Sequence, residues 1–202
     1  MQVAKENKQV LRTREWIFEA LIILLDAMAY EDIKITHITD KAGVARQTFY
    51  RNYESKDDII IKYLDDMFRE LQAKVQKKHN KSQKAVYILL FQLFLEHKEA
   101  LIKIKNAGLD YLLFNQLWSY NQFFFKNAFK KETSTNSELF NEFLIKYQMG
   151  GTTSIMIEWI KMDMSLSPEK IGEIVYEIAK RFSDQEAYIP DILNTLDYTH
   201  NE

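Results

Sequence analysis

The sequence predicts an all-α protein of about nine helices, and three observations carry that prediction. Five glycines and two prolines in 202 residues are too little punctuation for the many turns of a β-protein. Apolar residues make up 47% and aromatics 13% of the chain, ample for a sizeable core and too much for a disordered one. Many of these residues recur at three- and four-residue spacing, the period of an amphipathic helix.

Taken in order, the first apolar stripe (Trp16, Ile17, Ala20, Leu21, Leu24, Leu25, Met28) predicts a helix from Thr13, its N-cap, to around Tyr30. A short helix follows with Ile35, Ile38 and Ala42 on one face. Thr36 is placed to cap it, and Gly43 sits where a helix stops and φ can turn positive. Another short amphipathic segment spans 46–52. Ser55 then caps a fourth helix while Asp58 reaches back as in a capping box. That helix should run from Lys56 towards Lys78 and bury Ile59, Ile60, Tyr63, Leu64, Met67, Phe68 and Leu71.

Beyond a polar break at 77–82, longer and more aromatic helices are expected at 83–97, 98–106, 109–131, 136–163 and 168–183. Gly108 separates the second from the third, and 133–136 forms a polar loop. Ser167-Pro168-Glu169 supplies an N-cap, a proline at the first helical position and an acid in the first turn. No repeat recurs at a fixed interval, which disfavours a helical solenoid. Three units result: 1–55, 56–183 and an acidic tail at 184–202.

Composition narrows the chemistry. Without cysteine there is no disulfide, thiolate zinc site or cysteine nucleophile, and the reducing cytosol is the natural compartment. The segment Met1 to Arg14 lacks the apolar core of a signal peptide. Apolar stretches such as Ala85 to Leu95 fall short of the roughly 20 residues of a membrane span. A soluble, cytoplasmic protein with no membrane partner is expected.

The histidines (His37, His79, His97, His200) are scattered, with no Glu-x-x-His pair, and His97 beside Glu96 has the look of a surface residue. Phosphate-loop, zinc-protease and serine-hydrolase motifs are absent. No catalytic residue, metal site or cofactor is expected, and the chain does not look like an enzyme.

A net charge of −2 does not mark a nucleic-acid binder, but the distribution matters more than the sum. From Lys41 to Tyr53 the cations Lys41, Arg46 and Arg51 stand without an acid among them. After Phe182 the chain carries Asp184, Glu186, Asp191, Asp197 and Glu202 and no Lys or Arg.

Two short helices joined through Gly43-Val44-Ala45 and braced by longer ones make a helix-turn-helix pattern. Ile38, Ala42 and Val44 would face inward, and Phe49 would anchor the second helix. Arg46, Gln47, Thr48, Tyr50, Arg51 and Asn52 are then free to project outward. Arg suits guanine, Gln or Asn suits adenine, and a Thr methyl suits the thymine methyl. Tyr50 and Lys56 suit phosphates, Lys56 at a helix N-terminus whose amides attract anions. On residue types and spacing alone, the solvated face of an ordinary helical hairpin is an equal reading.

The literal string separates them. Ile38 to Ile59 (ITDKAGVARQTFYRNYESKDDI) resembles the DNA-binding signature of the tetracycline-repressor (TetR/AcrR) family. The shared core is Ala-Gly-Val, then Phe-Tyr, then an aromatic and a Ser-Lys-acid step into the fourth helix, and the resemblance covers about residues 10–65. It implies base contacts from Arg46, Gln47, Thr48 and Arg51, and phosphate contacts from Thr36, Tyr50, Asn52 and Lys56. Ala45 departs from a common Ser, removing a capping hydroxyl, and Asn52 from a common His. The resemblance further implies a homodimer built from 136–163 and 168–183 on double-stranded DNA with a palindromic operator. It also implies a candidate small-molecule inducer of unknown identity. An adaptor or coactivator of the same fold, working through protein contacts, is the alternative.

Farther along, Tyr147-Gln148-Met149-Gly150-Gly151, Ile157-Glu158-Trp159-Ile160 and Ser167-Pro168-Glu169 resemble a C-terminal subgroup that includes regulators near dihydroxyacetone-kinase operons. Adjacent mid-helix glycines cost roughly 1 kcal/mol each against alanine, which points to a close helix approach at Gly150-Gly151. Tyr111, Phe114, Trp118, Tyr120, Phe123, Phe124, Phe125 and Phe129 make a stripe that reads first as core. Should a pocket exist, Phe114, Trp118, Tyr147 and Trp159 are its candidate lining.

Overall fold

The computed structural model describes residues 8–77, 82–128 and 138–184. These form α1 (Lys8–Leu25), a 3-10 turn (Tyr30–Asp32), α2 (Ile35–Ala42), α3 (Arg46–Asn52), α4 (Lys56–Lys77), α5 (Gln83–Glu96), α6 (Lys98–Asn106), α7 (Asp110–Ala128), α8 (Glu138–Lys161) and α9 (Pro168–Asp184). No strand occurs among the described residues, so the all-α expectation holds. None of the described helices is long and apolar enough to cross a membrane.

Helix boundaries follow the sequence signals closely from α3 onward. Ser55 caps α4, its Oγ accepting from Asp58 N at 3.1 Å, but the return bond of the expected capping box falls one residue short of the cap, Asp58 Oδ2 accepting from Glu54 N at 3.0 Å. Ser167 Oγ likewise accepts from Lys170 N at 3.2 Å and starts α9.

The first two helices differ from expectation. Thr13 is no N-cap: α1 begins at Lys8, and the Thr13 hydroxyl donates to Gln9 O at 2.8 Å inside the helix. The helix stops at Leu25, five residues early, because the chain tightens into the 3-10 turn that buries Tyr30 and leaves Met28 exposed. Thr36 does not cap α2 either. Lys34 is the N-cap, and His37 Nδ1 accepts its backbone N–H at 3.2 Å.

One continuous core runs the length of the molecule. Ile17, Leu21, Ile38, Phe49, Ile59 and Ile60 fill its N-terminal end. Phe91, Phe94, Leu101, Leu113, Met156 and Trp159 fill the other. Trp16, expected on the buried stripe of α1, is 47% exposed, with Arg12 against its ring. In the C-terminal part α9 lies along α5, and α7 lies against both α4 and α8.

Candidate DNA-reading unit

The turn between α2 and α3 needs a left-handed residue, and Gly43 supplies it with φ 67° and ψ 31°. Gly43 N donates to Asp40 O and Val44 N to Thr39 O at 3.0 Å, closing the carboxyl end of α2. Ile38 is fully buried, and Ala42 and Val44 pack on the core beside it. Phe49 pins α3 from below, fully buried, with Tyr53 tilted against it and bonded through its hydroxyl to Arg14 O. Ala45 is the N-cap of α3 and offers no side-chain acceptor.

That anchoring leaves Arg46, Gln47, Tyr50 and Arg51 exposed on the opposite face, with Thr48 and Asn52 half-buried at its edge. Thr36 is exposed near the start of α2. Arg46 leans on Tyr50, its guanidinium donating to the phenol oxygen at 3.3 Å. Asn52 turns back on its own helix and donates to Thr48 O at 2.8 Å. A phosphate contact by Asn52 would replace that bond.

Lys56 also points inward. Its Nζ donates to Tyr30 O at 2.5 Å and Ile33 O at 3.1 Å, and lies 4.1 Å from the centre of the Tyr30 ring. Next to it, Asp57 accepts from the Tyr30 hydroxyl through Oδ1 and from the Tyr111 hydroxyl of α7, at 2.9 Å, through Oδ2. Burial, followed by the Asp57 carboxylate, pushes the Tyr30 phenol far above its ordinary pKa, so it stays a donor. The opening turn of α4 is thereby bolted to the 3-10 turn that precedes α2.

Lys62, which sequence reasoning passed over, donates to Asn52 O at 2.6 Å and Asp58 Oδ2 at 2.9 Å, capping the carboxyl end of α3. The adjacent acids Asp57-Asp58 signalled only a helix start. Asp58 does that work, while the partners of Asp57 lie in distant segments.

A family model described as "Transcriptional regulator C-terminal region", of TetR type, matches residues 81–181, half of the chain. The chain belongs to the TetR-type transcriptional regulators.

The regulator is 26% identical over 184 residues to the "Uncharacterized HTH-type transcriptional regulator YxbF" of Bacillus subtilis (strain 168), covering 81% of this chain and 44% of that protein. It thus spans under half the length of that curated relative. Among solved structures, the dihydroxyacetone kinase operon activator DhaS matches with TM-score 0.57 at 21% identity, covering 84% of this chain and 94% of that one. That likeness speaks for the fold. The fatty acid degradation regulator FadR from Bacillus halodurans matches with TM-score 0.49 at 16% identity, over 86% and 96% of the two chains.

In the C-terminal part of the regulator, the four pocket candidates do not converge on a cavity. Trp159 is core: 1% exposed, edge-on to Phe91, with its indole N–H donating to Leu166 O at 3.0 Å. Tyr147 is 61% exposed on the outer face of α8. Phe114 and Trp118 do associate, stacked with centroids 6.1 Å apart on α7. The side chains of Phe123, Phe124 and Phe125, together with Phe129, the 133–136 loop and the tail beyond Asp184, lie outside the described residues.

Gly150 faces Trp118 at ordinary contact distance, and Gly151 has open space where a Cβ would stand. The close approach within the chain is at Gly172. His97 is likewise no simple surface residue, since its Nδ1 lies 2.6 Å from the Tyr63 hydroxyl at the α5–α6 junction.

Proposed function

We propose that this regulator is a ligand-responsive repressor that binds a palindromic operator as a homodimer. Supporting this reading is the solvent side of α3, where Arg46, Gln47 and Arg51 stand exposed while Phe49 is buried beneath the helix. Arg46, Gln47, Thr48 and Arg51 read bases, while Thr36, Tyr50, Asn52 and Lys56 serve the backbone, the last two after giving up their internal bonds. Residues 1–55 form the DNA-binding unit and 56–183 the regulatory and dimerisation unit.

The homodimer is supported by α8, which is apolar on its outward as well as its inward side. Leu139, Phe143 and Tyr147 are each about 60% exposed and continue through Gly151 along one face. A second copy of α8, flanked by Ile178 of α9, would cover them isologously. Two recognition helices would then address successive major grooves, roughly 34–36 Å apart. Effector response is supported by the Phe114–Trp118 pair, a half-exposed apolar platform on α7.

The test is selection of genomic DNA by the purified full-length chain, followed by gel shift at physiological salt. The expected result is a palindromic site whose affinity falls at least tenfold in Arg46→Ala/Gln47→Ala, both side chains being exposed and the fold untouched. Failure to select any site, with a stoichiometric protein partner captured instead, would favour an adaptor working through the exposed α7–α8 face.

A further inference from the structure

The DNA-reading end and the regulatory helices meet across an open cleft of about 400 Å³, lined by Leu25, Met28 and Tyr30 on one side and Lys103, Asn106 and Ala107 on the other. Polar ties cross between the same two parts beside the core that they share. One is the ion pair of Lys103 (α6) with Asp26, 2.7 Å, exposed and weak. Another, outside the lining of the cleft, is the hydrogen bond from the Tyr111 hydroxyl to Asp57.

The second tie is set apart by what lies behind it. Asp57 also holds Tyr30, and the neighbouring Lys56 holds the carbonyls of Tyr30 and Ile33, immediately before α2. A pull on Asp57 is therefore delivered to the helix-turn-helix itself. Tyr111, by contrast, is 50% exposed and can let go without opening the core. It belongs to α7, whose next turn exposes Phe114, stacked on a part-buried Trp118, and whose Gln116 and Tyr120 hold Asp65 farther along α4.

We propose that Tyr111 is a positioning residue for DNA binding: its bond to Asp57 latches α7 to the helix-turn-helix, so that a shift of α7 changes the pose of α3. The latch rests on the proposed DNA-binding reading for its consequence but not for its geometry. Any ligand or partner that contacts the Phe114–Trp118 face gains access to α3 through it, provided that it favours one position of α7 over the other.

The experiment compares full-length wild type, Tyr111→Phe and Gln116→Ala on the DNA site that wild type selects. Tyr111→Phe removes one exposed hydroxyl and keeps the ring. The expected result is an operator Kd changed by about fivefold or more in Tyr111→Phe, with melting temperature and oligomeric state unchanged. Gln116→Ala, on the same seam but away from Asp57, should leave Kd unaltered. Equal affinity of wild type and Tyr111→Phe overturns the latch, as does an equal shift in both variants, which would mean general loosening of the seam. Should wild type select no DNA, the proposed function fails, and amide hydrogen exchange decides the latch instead. Faster exchange over 30–33 and 56–60 in Tyr111→Phe supports it, and unchanged exchange overturns it.

Discussion

Gly172 of α9 rests directly on Ile88 of α5: a Cβ placed on the glycine would stand 2.9 Å from the backbone nitrogen and Cα of Ile88. Backbone cannot step aside as a side-chain tip can, so the glycine sets how near the two helices lie. Gly172→Ala should therefore destabilise by about 1–3 kcal/mol despite the better helix propensity of alanine. Thermal unfolding would show a melting temperature lower by several degrees. A rise would mean that α9 can lift off α5 at no cost.

Gly151 makes the opposite case, because nothing lies within 4 Å of its missing Cβ. Within one chain, Gly151→Ala should be neutral or stabilising by up to about 1 kcal/mol. At a dimer contact it should raise the dissociation constant at least tenfold, measured by sedimentation, while helix content stays constant. An unaltered dimer would place the subunit contact elsewhere.

Ala45 caps α3 with β-region angles (φ −69°, ψ 145°) but has no oxygen to offer. Ala45→Ser supplies one, and should stabilise the protein by about 0.5–1 kcal/mol. The urea midpoint should rise with an unchanged slope; no rise would show that the first-turn amides of α3 already have adequate partners.

Burial raises the pKa of Asp65 on α4, and the nearby Asp66 and Asp58 add to the effect, against the opposing pull of Arg69 and Lys62. A raised carboxyl pKa in the folded state means that stability is full below the unfolded value near 4 and is lost as pH climbs through the folded one. Asp65→Asn keeps an acceptor for Tyr120 and Gln116 without the charge. It should raise the melting temperature at pH 7, and that gain should vanish towards pH 3. A gain that persists in acid would mean that charge is not its source.

Lys56 holds backbone carbonyls of Tyr30 and Ile33 in the described conformation. Lys56→Ala should thus cost about 1.5–3 kcal/mol of stability, the range for charge-assisted hydrogen bonds. An unaltered urea midpoint, with only DNA affinity reduced, would return Lys56 to a purely phosphate-binding role.

The helix-turn-helix was legible in sequence because its constraints are local. Gly43, Phe49, Ser55 and Asp58 each act within a few residues of themselves, and α3 lies where the string from Ala42 to Lys56 placed it. The supports were not legible, since Tyr30 with Asp57, Asp57 with Tyr111 and Lys62 with Asn52 are set by how helices cross. The same limit explains Trp159. An aromatic at helical spacing can line a cavity or fill a core, and only its seat against Phe91 and Leu166 distinguishes the two. Thr36 was a different kind of miss: hydroxyl chemistry favoured it as a cap, but the cap fell two residues earlier, at Lys34, and His37 supplied the acceptor.

If the exposed apolar residues of α8 pair two chains as proposed, this regulator is tied to its own abundance. Below the dissociation constant of a pair held by that face, the number of pairs grows as the square of the number of chains. A twofold change in synthesis would then alter operator occupancy up to fourfold, and apparent stability would climb with protein concentration as well. Pairing of this kind would make the proposed target sensitive to how much of its controller is present, independently of any effector.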